Sequence, residues 1–452
     1  MVSGHLKYPK KNRLEYVFLI IGLVFGFAYM LLQPIFIEPD SSFHFESATY
    51  LSNTVVDRGS LGFHGEDYQQ NFDYFTSEYR QGDYFTKFFK TKLPTTAKEN
   101  VQDKRVVGHK WQHDLMHVIP AIGIKAAYMI YPSIGVMTIG GRLFNLIFYL
   151  LTLFFIIKKL KAYKLIFVMV SVTPTVIQFA TSLSYDCYNY IACAFMTATL
   201  INIAFDIGKE RTVKLRHFLG RLAAPSLMLY FAKMNAKLLY LVAIGILIYL
   251  LLDVHNIHIS KSTKKKVAIL VSFLGTSLFI MKYHRVFGLI AKKIFYTILE
   301  PNYKILSTEI IGGTIGGIPL WFYAIQFFVF ALVLLGSKEI LASWFSYLCL
   351  SIAVLNLVAI DLSYAISPSF ADRVITGAQG RYYTSFILLL APVAARIGSR
   401  YIKISEKWVK QLAFSVSVLA LILNLSIISV KFYHLQVPAD RFRSDVNSMI
   451  LK

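Results

Sequence analysis

The sequence predicts an all-α protein that crosses a membrane about eleven times. The first observation is composition: the 452 residues are 56% hydrophobic and only 16% charged, which is too apolar for a soluble domain. The second is the recurrence of apolar runs of about 20 residues, the length that spans bilayer hydrocarbon as a helix. The third is that basic residues concentrate in the short connectors between these runs, as in cytoplasmic loops.

The elements follow from these runs in chain order. Basic residues before the first run place the N-terminus in the cytoplasm. The region 218–252 is interpreted as two spans, because a single span there would place the later basic connectors on the outer side. The expected spans are 15–36, 134–157, 164–181, 185–206, 218–232, 236–252, 266–282, 319–336, 340–360, 381–398 and 411–431.

One large polar insert, residues 37–135, follows the first span and is expected on the extracytoplasmic side. It holds 12 acidic and 10 basic residues, so the net charge of +22 comes from the rest of the chain. Surface helices are expected at 41–56 and near 113–131, where apolar residues recur at helical spacing. We treat 1–452 as one transmembrane domain that carries this insert. The charge pattern favours a lipid bilayer as partner and gives no indication of nucleic-acid binding.

Acidic residues at the outer end of the first span are the first candidates for chemistry. Glu38-Pro39-Asp40 ends this span, and Pro39 should stop the helix so that Asp40 begins the next one. His44 lies one turn later and could share a face with Asp40. Asp is also a common helix N-cap, and a lone histidine is often structural, so position alone leaves catalysis and capping open.

A second carboxylate begins the fourth span. Asp186 lies in Ser184-Tyr185-Asp186, where it could cap the helix or face a polar cavity, because a carboxylate at membrane depth is otherwise costly. The three cysteines, Cys187, Cys193 and Cys349, lie in or beside apolar runs. They are predicted to be packed small hydrophobic residues, not a disulfide framework or a metal site.

Cations on the outer side run against the usual charge distribution and could bind phosphate. Lys233 lies between the fifth and sixth spans. Arg381 lies in Gln379-Gly380-Arg381-Tyr382, where Gly380 permits a close backbone approach and the helix N-terminus adds partial positive charge. A structural role for such an interfacial arginine is the alternative. No Walker-type loop, HExxH or GxSxG element occurs in the sequence.

These motifs resemble the bacterial membrane proteins grouped as domain of unknown function 2142, a family similar to the GT-C integral-membrane glycosyltransferases. The similarity is sharpest at Pro39-Asp40-Ser41-Ser42-Phe43-His44-Phe45 and at Gln379-Gly380-Arg381-Tyr382. Ser184-Tyr185-Asp186 and Lys233 also correspond. Ser41 stands where the family usually has Glu, which leaves Asp40 as the main acid–base candidate.

The resemblance implies sugar transfer from a polyprenyl-phosphate donor to an extracytoplasmic glycan, wall polymer or lipid-linked acceptor. Asp40 would act as general base with His44 beside it, while Arg381, Lys233 and Gln379 would bind the donor phosphate. Asp186, Glu38 and Tyr382 are further polar candidates. The implied location is a bacterial plasma membrane, with the active site outside. No cofactor is implied, and a divalent metal is neither implied nor excluded.

Three alternatives stay open on sequence grounds. A lipid-linked glycan polymerase or ligase would also require outer cations. A non-enzymatic lipid or glycan flippase would instead place polar residues near the centres of spans, where substrate crosses. In a scaffold protein, the acidic helix ends would be caps only.

Overall fold

A computed structural model describes most of the chain and is almost entirely helical. The one pair of strands among the described residues is Val55–Val56, which lies antiparallel to Thr95–Thr96. The all-α prediction is therefore confirmed for this part of the protein. The described residues are 13–56, 84–92, 95–96, 115–210, 213–254, 287–299, 308–366, 375, 378–401 and 405–433.

Fourteen α-helices occur in these residues. They are α1 (Leu14–Leu32), α2 (Ser41–Leu51), α3 (Val118–Ile130), α4 (Ile134–Lys159), α5 (Lys164–Ser171), α6 (Pro174–Ala180), α7 (Asp186–Glu210), α8 (Leu215–Phe231), α9 (Leu239–Val254), α10 (Phe287–Leu299), α11 (Leu320–Leu335), α12 (Ser343–Ile366), α13 (Ala391–Tyr401) and α14 (Glu406–Tyr433). A π-helical turn covers Thr86–Lys90, and 3₁₀ turns cover Met234–Leu238, Thr308–Ile310, Gly380–Tyr382 and Thr384–Leu390.

Six helical segments in the described residues are long and apolar enough to cross a membrane: α1, α4, α7, α12, α14 and the segment Met234–Leu252. Their outward faces suit lipid, since Ile20 and Leu31 on α1 are 63% and 62% exposed. The protein is therefore a helical membrane protein. The number of eleven spans stays a prediction, and the expected span 266–282 lies outside the described residues.

The first two long helices, α1 and α4, approach closely at a pair of glycines. A Cβ atom at Gly22 would lie 2.5 Å from Leu150, and one at Gly26 would lie 2.6 Å from Leu146. Glycines four residues apart lie on one helix face, so this face of α1 admits the leucine side chains of α4. This packing fixes the end of α1, and therefore the acidic segment after it, relative to α4.

The expected span 164–181 is not one helix. It is broken into α5 and α6 because Pro174 has no N–H to bond and its ring would clash with the preceding turn. The hydroxyl of Thr173 instead accepts the N–H of Val176 at 3.4 Å and caps α6. Both short helices are largely buried by other helices, which is the setting in which interrupted helices are tolerated at membrane depth.

The expected span 381–398 is also irregular. It begins as the 3₁₀ turns Gly380–Tyr382 and Thr384–Leu390, and only α13 is α-helical. Pro392 explains the break, because it cannot donate to the carbonyl four residues earlier and is accepted only in the first turn of α13. Arg381 is buried and lies in the first of these 3₁₀ turns.

The surface helices of the insert are shorter than expected. The helix expected at 41–56 ends at Leu51, and Asn53 then adopts a left-handed conformation with φ of 54°. Val55 lies in the short strand pair, so it leaves the helix face predicted for it. The helix expected near 113–131 is α3. The region 60–110 lies mostly outside the described residues.

Buried amide side chains secure the glycine-rich segment after residue 310. Gln178 on α6 accepts the N–H groups of Thr314 and Ile315 at 2.7 and 3.0 Å. Asn424 on α14 donates to the carbonyl of Ile315 at 3.0 Å and accepts from Gln178 at 2.8 Å. This segment therefore has a fixed structural position. The three cysteines are free and buried, as predicted.

Candidate functional site

Four charged side chains from distant parts of the sequence meet in one place, which we term the ion cluster: Asp40, Asp186, Lys233 and Arg381. Asp40 precedes α2, and Asp186 begins α7. Lys233 lies between α8 and the turn Met234–Leu238, while Arg381 lies in the turn Gly380–Tyr382. Asp40 and Arg381 are 341 residues apart in sequence. All four were predicted as site residues, and the structure brings them together.

Arg381 connects the two carboxylates of the ion cluster. Its Nη2 lies 3.3 Å from Asp40 Oδ2, and its Nε lies 3.4 Å from Asp186 Oδ2. The ammonium group of Lys233 donates to the other oxygen of Asp186. Two carboxylates therefore face two cations, and the cluster is close to neutral as a unit. An additional anion would compete with these carboxylates for the two cations.

The two carboxylates differ in accessibility. The Asp186 side chain is 9% exposed and is held by both cations, whereas the Asp40 side chain is 44% exposed. Asp40 occupies the N-cap position of α2 in a left-handed conformation, with φ of 57°, and its side chain makes no capping hydrogen bond. The capping interpretation is therefore wrong for this side chain. Asp40 is therefore the more exposed carboxylate of the cluster.

Two tyrosine rings flank the Lys233 ammonium group. Its Nζ lies 4.6 Å from the ring centroid of Tyr185 and 4.8 Å from that of Tyr382, within the range of cation–π attraction. The backbone N–H of Lys233 donates to Asn189 on α7 at 3.1 Å. Burial lowers the pKa of Lys233, and the neighbouring Asp186 opposes this shift. Asp186 therefore favours the charged form of Lys233.

Arg381 is positioned by the turn Thr308–Ile310. The Glu309 carboxylate accepts the N–H of Gly380 at 2.9 Å, and the Glu309 carbonyl accepts the hydroxyl of Thr175 on α6 at 2.9 Å. The Gln379 side-chain oxygen is buried and has no hydrogen-bond partner among the described residues. It lies two residues before Arg381, so an unused acceptor flanks the cluster.

His44 lies beside the ion cluster but is buried. Its Nδ1 lies 2.8 Å from Nε2 of His117, so one ring donates its N–H and the other accepts. The His44 ring also packs edge-on against Tyr185, with centroids 4.7 Å apart. Burial lowers the pKa of His44, and His117 lowers it further. His44 is only 1% exposed. This burial suits a role in holding Tyr185 more than direct contact with substrate.

Glu38 does not join the ion cluster, although it is two residues from Asp40. Nη2 of Arg142 on α4 donates to both oxygens of the Glu38 carboxylate, at 2.8 Å to Oε2 and 3.1 Å to Oε1. Arg142 also donates to the backbone carbonyls of Gln33 and Pro34 at 2.6 and 2.8 Å. The predicted site residue Glu38 is therefore part of a buried structural pair that holds the exit of α1.

A family of predicted membrane proteins, domain of unknown function 2142, matches residues 23–294, which is more than half of the chain. The protein belongs to this family. No curated protein and no solved structure matches it. The DUF2142 match contains Asp40, Asp186 and Lys233, whereas Arg381 lies beyond it. Membership in DUF2142 supports a membrane protein and assigns no activity.

Sequence reasoning missed several residues that support the ion cluster and the exit of α1. His117, Arg142 and Glu309 carry no motif, and no sequence spacing connects them to their partners. The available signal was weak: Arg142 is a lone cation within an apolar run, which is unusual and indicates a buried partner. Within the described residues, no group of three His, Cys, Asp or Glu side chains is arranged to hold a metal ion.

We expect acid to destabilise the protein through His44. Its pKa in the folded protein is lowered, so below a pH of about 6.5 the unfolded chain takes up a proton that the folded chain resists. Stability from this group is present above that pH and falls by at most about 1.4 kcal/mol for each lower pH unit. Thermal unfolding of purified protein in detergent micelles, between pH 8 and pH 5, measures this effect.

The matched control for this titration is the exposed His217 on α8. The substitution His44→Gln should give a shallower loss of stability with acid, whereas His217→Gln should leave the wild-type slope. If stability falls with acid as steeply in His44→Gln as in the wild-type protein, His44 is not the group responsible.

Proposed function

We propose that this protein is a membrane glycosyltransferase of the GT-C type. It transfers a sugar from a polyprenyl-phosphate donor to a glycan, wall polymer or lipid-linked acceptor on the outer side of the plasma membrane. The observation that carries this proposal is the ion cluster, in which an accessible carboxylate lies beside the buried Arg381 and the partly buried Lys233. The resemblance of the DUF2142 family to GT-C enzymes gives the proposal its reaction class.

Asp40 is the proposed general base. Its half-exposed carboxylate can be reached by an acceptor hydroxyl, whereas Asp186 is enclosed by Lys233 and Arg381. The acceptor oxygen forms a bond to the anomeric carbon while the bond from that carbon to the phosphate oxygen breaks. Asp40 takes the hydroxyl proton, and polyprenyl phosphate leaves with the bonding electrons.

The cations are the proposed binding site for the donor phosphate. The phosphodiester of the donor gains negative charge as it becomes the leaving phosphate monoester, so fixed positive groups stabilise the transition state more than the bound donor. The arginine fork of Arg381 suits phosphate oxygens, and Lys233 adds a second positive charge.

Donor binding and base activation are coupled in this proposal. Because the ion cluster is balanced, an incoming phosphate competes with the carboxylates for the two cations. The contact of Arg381 with Asp40, at 3.3 Å and half-exposed, is the one that solvent or substrate can replace. Phosphate that binds Arg381 then releases Asp40, so the base is freed when the donor is in place.

The surroundings of Lys233 suit a lipid carrier. Met234, the next residue, is 77% exposed, and Tyr230 at the end of α8 is 46% exposed. An exposed apolar side chain directly beside the partly buried Lys233 allows a polyprenyl tail to remain in the bilayer while its phosphate reaches the cluster.

The proposal is tested by a transfer assay in lipid nanodiscs. The donors are a radiolabelled hexose on polyprenyl phosphate, the same sugar on polyprenyl pyrophosphate, and a nucleotide sugar, with host membranes as the acceptor source. We expect transfer from the monophosphate donor. Transfer from the pyrophosphate donor alone would favour a polymerase or ligase, and movement of lipid without transfer would favour a flippase.

The substitution Arg381→Gln should reduce kcat/KM for the monophosphate donor by at least about 10²-fold, because it removes charge stabilisation of the leaving phosphate. Arg381→Lys should retain part of the activity, since it keeps the charge but not the fork. The exposed Arg400 provides the control, and Arg400→Gln should leave transfer unchanged. Equal activity in Arg381→Gln and Arg400→Gln would remove Arg381 from the mechanism.

A further inference from the structure

A cavity lies at the opposite end of the helices from the ion cluster. Its volume is about 520 Å³, and α4, α7 and α8 form its walls. Asp186 at the ion cluster and Asp206 beside this cavity are both on α7, twenty residues apart. At 1.5 Å per residue this separation is roughly 30 Å, the thickness of the hydrocarbon layer. The two sites therefore face opposite leaflets.

One part of the cavity wall is apolar and open to the bilayer. Leu151 and Phe155 on α4 line it and are 54% and 53% exposed. Phe195 and Ala198 on α7 form the facing wall. This part has the character of a groove for a hydrocarbon chain.

The other part of the cavity wall is basic. Lys159, Lys161 and Arg221 line it, together with Asn202. The Asp206 carboxylate, 8% exposed, binds Lys161 through one oxygen and Arg221 through the other, the latter at 2.5 Å. The side chains of Lys161 and Arg221 nevertheless remain 41% and 44% exposed. Asp206 thus holds two cations in position at the mouth of the cavity.

The charge at this mouth is not balanced, unlike that of the ion cluster. Three cations meet one carboxylate, which leaves a surplus of two positive charges. The backbone also braces the site, since the N–H of Lys161 donates to Asn202 at 2.8 Å and Asn202 donates to the Lys159 carbonyl at 3.2 Å. A fixed surplus of positive charge at the end of an apolar groove complements one class of membrane molecule.

We propose that this cavity binds an anionic phospholipid of the leaflet on the side of the basic connectors. The phosphate contacts Lys159, Lys161 and Arg221, and an acyl chain lies along Leu151 and Phe155. A soluble anion would gain nothing from the apolar wall, and a zwitterionic lipid would not use the charge surplus. Basic pockets between transmembrane helices on the cytoplasmic side are suited to such headgroups. This inference is independent of the proposed transferase activity.

Native mass spectrometry of the detergent-purified full chain tests it, with dioleoyl phosphatidylglycerol and dioleoyl phosphatidylcholine as probes. We expect the wild-type protein to retain phosphatidylglycerol preferentially. Arg221→Gln and Lys159→Gln should each weaken that binding about fivefold, with binding of phosphatidylcholine unchanged. Lys159→Gln is the variant that leaves the ion pairs of Asp206 intact, so it reports on the site even where Arg221→Gln affects folding.

Arg216 is the matched control, because it is exposed on α8 five residues before Arg221 and does not line the cavity. Arg216→Gln should leave phosphatidylglycerol binding at the wild-type level. Three outcomes overturn the proposal: equal retention of the two lipids, an equal loss in Arg216→Gln and Lys159→Gln, or complete displacement of phosphatidylglycerol by millimolar inorganic phosphate, which would indicate a site for soluble anions.

Discussion

Replacing Asp40 with asparagine is expected to reduce sugar transfer by about 10²–10⁴-fold, the range contributed by a positioned general base. The substitution keeps the side-chain size and leaves an oxygen that can accept the Arg381 hydrogen bond, so the loss should arise from the missing proton acceptor. The reduction should appear in kcat for the monophosphate donor, whereas donor KM should not rise, because the phosphate-binding cations are intact and a neutral amide competes less with phosphate for Arg381 than a carboxylate does.

Glu406 offers a matched control for the Asp40 variant. Its carboxylate is 51% exposed and pairs with a single cation, Lys410, much as the 44% exposed Asp40 pairs with Arg381. Glu406→Gln should transfer sugar at the wild-type rate. Both variants should elute and unfold as the wild-type protein does. Transfer at the wild-type rate by a folded Asp40→Asn protein would refute the base assignment.

The largest expected effect on stability comes from Arg142. Its side chain is fully buried and forms an ion pair with Glu38, whose side chain is only 3% exposed. Arg142→Met would leave the Glu38 carboxylate and two backbone carbonyls without their donor. Breaking a buried pair in this way costs about 3–5 kcal/mol, since one uncompensated charge remains. Thermal or denaturant unfolding in detergent micelles measures this change in the free energy of unfolding.

A double variant distinguishes the effect of the unpaired Glu38 charge from the effect of the changed packing at position 142. Arg142→Met combined with Glu38→Gln should be more stable than Arg142→Met alone, because the stranded carboxylate is then neutral. The more exposed pair Lys410–Glu406, with side chains 22% and 51% exposed, provides the comparison, and Lys410→Met should cost less than about 1 kcal/mol. An effect of Arg142→Met as small as that of Lys410→Met would show that the buried pair contributes little.

Much of the helical framework was predictable because hydropathy is a local property. The expected spans 134–157, 185–206 and 340–360 correspond closely to α4, α7 and α12. Two of the errors fall where a proline interrupts an apolar run, at Pro174 and Pro392. Composition alone treats such a run as continuous, whereas the missing N–H of proline decides whether the backbone can continue as a helix.

The site residues were partly predictable for a different reason. Carboxylates and cations at the ends of apolar runs are costly unless they have partners, so Asp40, Asp186, Lys233 and Arg381 stood out as candidates. Which of them are partners was not encoded locally. Glu38 and Asp40 are two residues apart, yet one carboxylate pairs with Arg142 and the other with Arg381.

By itself, the sequence determined that this protein is a helical membrane protein and which polar residues stand at the ends of its helices. Both follow from the cost of placing charge and unpaired backbone in hydrocarbon, which each segment meets separately. The tertiary structure alone decided that the first acidic turn meets a turn 341 residues later. That meeting depends on how α1, α4 and α7 pack and on the left-handed backbone at Asp40, and no single segment contains this information.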